Sequence, residues 1–491
     1  MSRAMINFEN VCYSYSGTKK YALEGINLSV SQGEFLAVMG ENGSGKTTLC
    51  KLVNGIIPHL TGGRLSGTVT VDGIKTVESS VARLALKVGM VLNDPDAQIF
   101  TSTVRHEAAF GPENLLLPSQ EIEERVKQAL SAVGLDGFED RQPSTLSGGE
   151  KQRLAIACAL AMKGEILVLD EPLCRLDPQG AQEVMSVIMD IRQKFQITVI
   201  MAANSTEMLE LADRVCVLKD GRIAACDTAK NIFADHKLLE ENGIQPPFNT
   251  DIFSAFSVNT EKPPEIDSKT HVVEIKDFCY SYENGDTNIE NINLKIADND
   301  FVAIIGRNGC GKTTLLKSIT GLLRPSSGEI FIRGRNTEEL SVSDISKEVG
   351  FVMQNPDTQL FTDSVYKEIA YALKIMRLSK AEIKRRVEDA LSTVGLKDAD
   401  EFPHALSAAD RAKTVIACVL AMGCKIIILD EVDTGQDCHG SSHIMNIARD
   451  LHSRGFTIIF VTHNMTLAHE YANRLIIMER KGIVFDGKRN F

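Results

Sequence analysis

Phe35-Leu-Ala-Val-Met-Gly40-Glu-Asn-Gly-Ser-Gly-Lys46-Thr47-Thr48 is the stretch that decides the fold. The apolar run Phe35 to Met39 reads as a buried strand, and a helix is expected beyond it. Between them lies Gly-x4-Gly-Lys-Thr, the pattern of a phosphate loop. Backbone amides of the turn, from Gly40 through Asn42, Gly43 and Gly45, can surround phosphate oxygens because glycine lets the main chain approach closely. Lys46 would neutralise the outer phosphate charge, Thr47 would hold magnesium, and Thr48 completes the set.

The pattern recurs. Phe301 to Ile305 precede Gly306-Arg-Asn-Gly-Cys-Gly-Lys312-Thr313-Thr314, so Gly306, Asn308, Gly309, Gly311, Lys312, Thr313 and Thr314 repeat the first set at an offset of 312 − 46 = 266. Asp170-Glu171 follows the aliphatic run Ile166 to Leu169, and Asp430-Glu431 follows Ile426 to Leu429, at an offset of 431 − 171 = 260. A repeat in register over this length predicts two tandem domains. Residues 1–255 are expected to form the first and 271–491 the second, with 256–270, which contains Pro263-Pro264, as a linker. Short apolar strands alternating with helical stretches predict an α/β class, each domain a mostly parallel sheet covered by helices. Helix formers from Arg105 to Ala132, and again from Tyr366 to Thr393, predict a small helical subdomain in each half.

At 491 residues, with 43% hydrophobic and 24% charged, the chain can fill two or three cores and is expected to be a soluble globular protein. Its 53 basic and 65 acidic residues give a net charge of −12, which argues against a broad nucleic-acid surface. No uncharged stretch reaches the roughly 18 apolar residues of a membrane span. Met1 to Glu9 lack the regions of a secretory signal, and the 11 cysteines include no CxxC pair. These features predict a reduced cytosolic compartment in which the cysteines are buried thiols.

Leu146-Ser-Gly-Gly-Glu-Lys-Gln-Arg153 opens a further expected helix, running to Met162. Bare amides at a helix N-terminus, with Ser147 as a hydroxyl donor and Gly148 and Gly149 allowing close approach, form an anion site. Standing alone, the same residues could be an ordinary helix cap. Asp170 and Asp430, each ending a buried strand, would bring a carboxylate to magnesium, and Glu171 and Glu431 could orient a water for attack on a γ-phosphate. Standing alone, such acidic pairs could merely terminate strands.

The phosphate loops, Leu-Ser-Gly-Gly-Glu, the aliphatic-Asp-Glu runs and His463 after Thr462 together resemble the ABC-type ATPases, over nearly the whole chain and twice. The resemblance implies ATP and Mg2+ as cofactors and head-to-tail pairing, so that each ATP lies between the phosphate loop of one domain and the Leu-Ser-Gly-Gly-Glu signature of the other. It also implies adenine stacking on Tyr15 and Tyr282, with core packing for the neighbouring Tyr13 and Tyr280. Asp177 and Asp437 would lie in the loop lining the domain interface.

The two halves differ where this resemblance places catalysis. Gln354 matches the family glutamine that reaches magnesium and the attacking water, and Asn93 aligns with it; His463, the γ-phosphate contact, aligns with Asn204. Asparagine is one methylene shorter than glutamine and cannot carry the positive charge of histidine. Leu406-Ser407-Ala408-Ala409-Asp410 stands where the first half has the intact signature, and its methyl groups are expected to hinder glycine-only backbone angles and close approach to phosphate. Head-to-tail pairing would collect all the departures in one site, Lys46, Asn93, Asp170, Glu171 and Asn204 facing Ser407. The other site would hold Lys312, Gln354, Asp430, Glu431 and His463 facing Ser147 to Gly149. The expectation is that the second site hydrolyses ATP and the first mainly binds it, with Glu171 able to support slow turnover.

Asp94-Pro-Asp-Ala-Gln-Ile-Phe100 and Asn355-Pro-Asp-Thr-Gln-Leu-Phe361, with Ala109-Phe-Gly-Pro-Glu-Asn114 in the first half, resemble the ATPases of energy-coupling-factor importers for vitamins, cobalt or nickel. This implies a peripheral position on the cytoplasmic face of the cell membrane, a transmembrane transporter subunit as partner, and a small membrane subunit that captures substrate. No nucleic acid is expected. The alternative is a soluble twin-ABC ATPase acting on ribosomes or nucleic acid, which would call for a long charged linker and two intact signatures. Whether the domains pair within one chain or between two copies stays open, and so does the transported compound.

Overall fold

The computed structural model describes residues 3–174, 176–206, 208–247, 256–258, 271–282, 287–479 and 482–489. The chain divides into two units, Met1–Pro247 and Phe248–Phe491. The first contains strands β1 (Ala4–Ser14), β2 (Leu23–Ser31), β3 (Phe35–Met39), β4 (Arg64–Val71), β5 (Ile74–Lys75), β6 (Val88–Val91), β7 (Ile166–Asp170), β8 (Thr198–Ala203), β9 (Arg214–Lys219) and β10 (Arg222–Thr228). Six of them form one sheet in the order β10-β9-β3-β8-β7-β6, parallel throughout except for the β9–β10 hairpin.

β3 and β7 are buried at every position, which is why both read as unbroken apolar runs. Side chains alternate across the sheet: Leu36 and Val38 enter one core, Phe35, Ala37 and Met39 the other. The first core is closed by a second sheet, antiparallel, in the order β2-β1-β4-β5. The other is closed by helices that include Val104–Asn114, Ser119–Ala132 and Gly148–Ala161. Met39 pairs with Ala203 and Asp170 with Ala202, so the carboxyl ends of β3, β8 and β7 lie at one edge. That edge is where open α/β sheets place ligands.

The second unit repeats the plan with β11 (Phe256–Val258), β12 (His271–Ser281), β13 (Thr287–Ala297), β14 (Phe301–Gly306), β15 (Ser327–Ile332), β16 (Arg335–Asn336), β17 (Val349–Val352), β18 (Ile426–Asp430), β19 (Thr457–Val461), β20 (Arg474–Glu479) and β21 (Gly482–Arg489). Its main sheet has the order β11-β21-β20-β14-β19-β18-β17, and its antiparallel sheet the order β13-β12-β15-β16. The extra edge strand β11 lies at the start of the segment expected to be a linker and pairs with β21, Phe256 opposite Arg489 and Val258 opposite Gly487. Residues 259–270, including Pro263-Pro264, lie outside the described residues. Among the described residues, no helix is long and apolar enough to cross a membrane.

Candidate nucleotide sites

Both phosphate loops turn on backbone only glycine tolerates. Gly40 has φ of 150°, and a Cβ there would stand 2.2 Å from the Leu218 carbonyl oxygen; at Gly306 the corresponding distance, to Met478, is 2.3 Å. Gly45 and Gly311 are left-handed and lead directly into the helices Lys46–Val53 and Lys312–Ile319. Lys46 Nζ donates to the carbonyls of Gly40 (2.8 Å) and Glu41 (3.1 Å), and Lys312 Nζ to those of Gly306 (2.7 Å) and Arg307 (3.1 Å). Each ammonium is thus held over its own loop. At Gly43 and Gly309 an added Cβ would meet nothing within 4 Å, so the loop face stays open. Asn42, beside Gly43, accepts from the Asn204 amide at 3.2 Å.

The hydroxyl and carboxylate expected to share magnesium are adjacent in both units. Thr47 Oγ1 donates to Asp170 Oδ1 at 3.0 Å, and Thr313 Oγ1 to Asp430 Oδ1 at 3.4 Å. Burial pushes both carboxyls up, Asp430 to about 6 with the Glu431 charge adding to the effect. These are hard oxygen donors at a buried edge, a donor set that suits Mg2+ completed by phosphate and water.

Glu171 and Glu431 follow with φ of 51° and 48°, a left-handed conformation unusual outside glycine. Their amides are tied to the Ala202 and Val461 carbonyls at 3.0 Å each, which fixes the turn. The neighbours of the two carboxylates differ. Glu431 Oε2 accepts from Gln354 Nε2 at 2.8 Å, its Oε1 lies 3.2 Å from His463 Nε2, and Lys312 Nζ is 3.8 Å away. Glu171 has Lys46 Nζ at 3.6 Å; burial pushes its carboxyl up, opposed by Lys46 and by the nearby Asn204 amide. Among the described residues, Asn93 makes no hydrogen bond to Glu171 that would match the one from Gln354.

The signature residues corrected one expectation. Ser147 caps the helix Gly148–Ala161 in a capping box: its Oγ accepts from the Glu150 amide at 3.3 Å, while Glu150 accepts from the Ser147 amide at 2.7 Å. Gly148 and Gly149 are ordinary right-handed first-turn residues, not positions of positive φ. Ala408 and Ala409 start the helix Ala408–Met422 behind Ser407 in the same way. Glycine-only angles therefore do not separate the two signatures. The remaining difference is side-chain bulk: a Cβ at Gly149 would meet nothing within 4 Å, so the helix start is open on that side, whereas Ala408 and Ala409 carry methyl groups.

Tyr15 and Tyr282 hydroxyls meet Thr48 and Thr314 Oγ1 at 2.9 and 3.3 Å, beside the phosphate-loop helices. Tyr13 is fully buried and donates to the Gly62 carbonyl at 2.6 Å, and Tyr280 packs against the core. Asp177 and Asp437 cap the helices Pro178–Phe195 and Cys438–Ser453, each accepting a glycine amide at 2.7 Å.

A family model described as ABC transporter matches residues 23–174 and again residues 289–434. The chain belongs to that family. It is an ATPase with two ABC domains in tandem and the ATP-binding subunit of a transporter. An ABC transporter ATP-binding protein of Caldanaerobacter subterraneus is 37% identical over 99% of this chain and 92% of its own length. One from Methanosarcina acetivorans is 36% identical over 98% of this chain and 85% of its own. A solved structure, cbiO1 from Clostridium perfringens, part of the ABC transporter complex cbiONQ, is 34% identical over 48% of this chain and 94% of that one, with a TM-score of 0.44.

Several side chains of these ABC domains have roles that their motifs alone do not show. Gln98 and Gln359 close the loops that carry Asn93 and Gln354: their Oε1 atoms accept from the Leu92 and Met353 amides at 3.1 and 2.8 Å, and their Nε2 atoms donate to Met90 and Phe351 carbonyls at 3.0 Å. Glu107 and Glu368, both buried, accept from the amides of Phe100 and Thr101, and of Phe361 and Thr362, at 2.7 to 3.1 Å. The available signal was their identical place in the two repeats.

Proposed function

We propose that this chain is the ATP-hydrolysing subunit of an energy-coupling-factor importer for a vitamin or transition metal, and that the residues of its second unit do most of the hydrolysis. The observation that supports unequal hydrolysis is the pair of contacts on Glu431, from Gln354 and His463. A water held between this carboxylate and a γ-phosphate would pass its proton toward Glu431 as its oxygen attacks in line. Gln354 holds the carboxylate in place, His463 offers a donor to the phosphoryl oxygens, and Lys312 offsets their charge. Thr313, Asp430 and Gln354, with Thr47 and Asp170 in the first unit, would hold Mg2+, which when bound draws charge from the phosphates. Head-to-tail pairing would add Ser147 to Gly149 to this site and Ser407 to that of Lys46, Asn93, Asp170, Glu171 and Asn204.

The importer reading rests on the aromatic loops. Phe361 and Tyr371 are 62% and 46% exposed and stack edge to face at 4.7 Å, next to a groove of about 290 Å³ lined by Phe351, Glu368, Val415 and Val419. Phe100 and Phe110, 66% and 45% exposed, stack the same way at 4.8 Å. Exposed aromatics fixed by buried glutamates suit a helix of a membrane partner.

Gentle co-purification of the tagged chain from its native membranes, with mass spectrometry of the eluate, tests this. A polytopic subunit together with a small hydrophobic one is the expected result. Ribosomal proteins or nucleic acid without a membrane partner would overturn it.

A further inference from the structure

Cys216 and Cys226 stand opposite each other on the antiparallel strands β9 and β10, so both side chains leave the sheet on one face. Cys216 is fully buried within the core between the two sheets, and Cys226 is partly exposed beside it. Arg214 Nη2 donates to the Cys226 sulfur at 3.1 Å. The same guanidinium is anchored by Glu34 at 2.9 Å and by the Ser29 carbonyl at 3.1 Å.

The internal repeat reveals what this position is built to hold. In the second unit Arg474 begins β20 as Arg214 begins β9, and it is clamped by Asp486 of β21 at 2.7 and 2.6 Å, with Asp300 at 3.3 Å. Asp486 stands opposite Ile476, in the register that Cys226 keeps with Cys216. Cys226 therefore takes the place of a carboxylate, and Cys216 the place of an inert aliphatic residue. A hydrogen bond from Cys216, and the Arg214 charge, bring the Cys226 thiol down to about 6 against the effect of burial, while Cys216 is pushed well up.

We propose that Cys226 and Cys216 form a peroxide-oxidisable dithiol at the edge of the first unit's main sheet, with Cys226 as the attacking thiolate and Cys216 as the resolving thiol. The Cys226 sulfur attacks one oxygen of a hydroperoxide; an S–O bond forms, the O–O bond breaks, and the second oxygen leaves with the electron pair and takes up a proton. The Cys216 sulfur then attacks the sulfenic sulfur of Cys226, the S–S bond forms as the S–O bond breaks, and the Cys216 proton leaves with the hydroxyl as water. The two thiols lose two electrons and the hydroperoxide gains them. Directly opposed residues on antiparallel strands have Cα atoms roughly 4.5 to 5.5 Å apart, inside the ~4.4 to 6.8 Å that a disulfide spans.

The test uses the reduced full-length chain and hydrogen peroxide, followed by blocking with N-ethylmaleimide, trypsin and mass spectrometry. The expected product is the peptide Val215 to Lys219 linked to Ile223 to Lys230, lost on adding dithiothreitol. In Cys216→Ser, dimedone should label Cys226 about tenfold faster than Cys12. Cys226→Asp, which copies the second unit, should fold normally and give neither product. Recovery of both cysteines as maleimide adducts, sulfenic acid on Cys226 with no linked peptide in the unaltered chain, or equal dimedone labelling of Cys226 and Cys12 would each overturn the proposal.

Discussion

Glu171 and Glu431 carry the same side chain on the same left-handed backbone, and they differ in their neighbours. The difference extends one layer further out. Thr462 Oγ1 donates to Asp433 Oδ2 at 2.7 Å and accepts from the Asn464 amide at 2.9 Å, tying the loop of His463 to the loop after Glu431. The first unit has Ala203 and Leu173 at these positions, an apolar pair in place of a polar one. Burial pushes the Asp433 carboxyl up to about 6. A carboxyl whose folded pKa is raised binds its proton more tightly in the native state, so its contribution to stability is greatest below the unfolded pKa and is lost as pH rises. Relative to Asp433→Asn, the unaltered chain should therefore lose on the order of 1 to 3 kcal/mol between about pH 4 and pH 6. Scanning calorimetry of both chains across that window checks this, and parallel profiles would contradict it. The pair was not legible in advance. Asp433 lies in a stretch whose sequence shows only an acidic residue near another, and Thr462 shows its role only once β18 and β19 bring the two loops together.

At the scale of elements, the strand, loop and helix of each phosphate site could be read directly, because glycine, lysine and buried aliphatic residues leave the backbone few alternatives there. The antiparallel sheets could not, since β1 pairs with β4 across some fifty residues of intervening chain that carry no mark of the pairing. The aromatic loops were legible as motifs, but the buried Glu107 and Glu368 that fix them were not, because glutamate in the first turn of a helix ordinarily reads as a solvated dipole partner. Phe361→Ala together with Tyr371→Ala removes two half-exposed rings and their edge-to-face contact, so stability should fall by only about 1 kcal/mol. Recovery of the membrane subunit from native membranes should nevertheless fall severalfold. A loss of melting temperature well beyond that, or undiminished recovery, would remove these aromatics from the docking surface.

Across the whole chain, the two units share one scaffold and differ in the residues set around it. Both units keep the loop lysine, the magnesium-type threonine and aspartate, and the glutamate. The second alone keeps Gln354 and His463, and the first alone keeps Gly148 and Gly149. The sequence exposed this asymmetry through residue identity, and the structure supplied its geometry within each unit. It also shows that the two signatures do not differ in backbone angle, Gly148 and Gly149 being right-handed like Ala408 and Ala409. Loss of one well-placed transition-state donor costs roughly 3 to 4 kcal/mol, or two to three powers of ten in rate, so the first unit's substitutions should leave it a minor contributor.

Steady-state ATP hydrolysis by Glu431→Gln and Glu171→Gln, each purified as the full chain and compared under the same conditions, tests the unequal division of labour most directly. Glu431→Gln should lower turnover by about a hundredfold or more, while Glu171→Gln should leave most of it. Equal losses in the two variants, or the larger loss in Glu171→Gln, would contradict it.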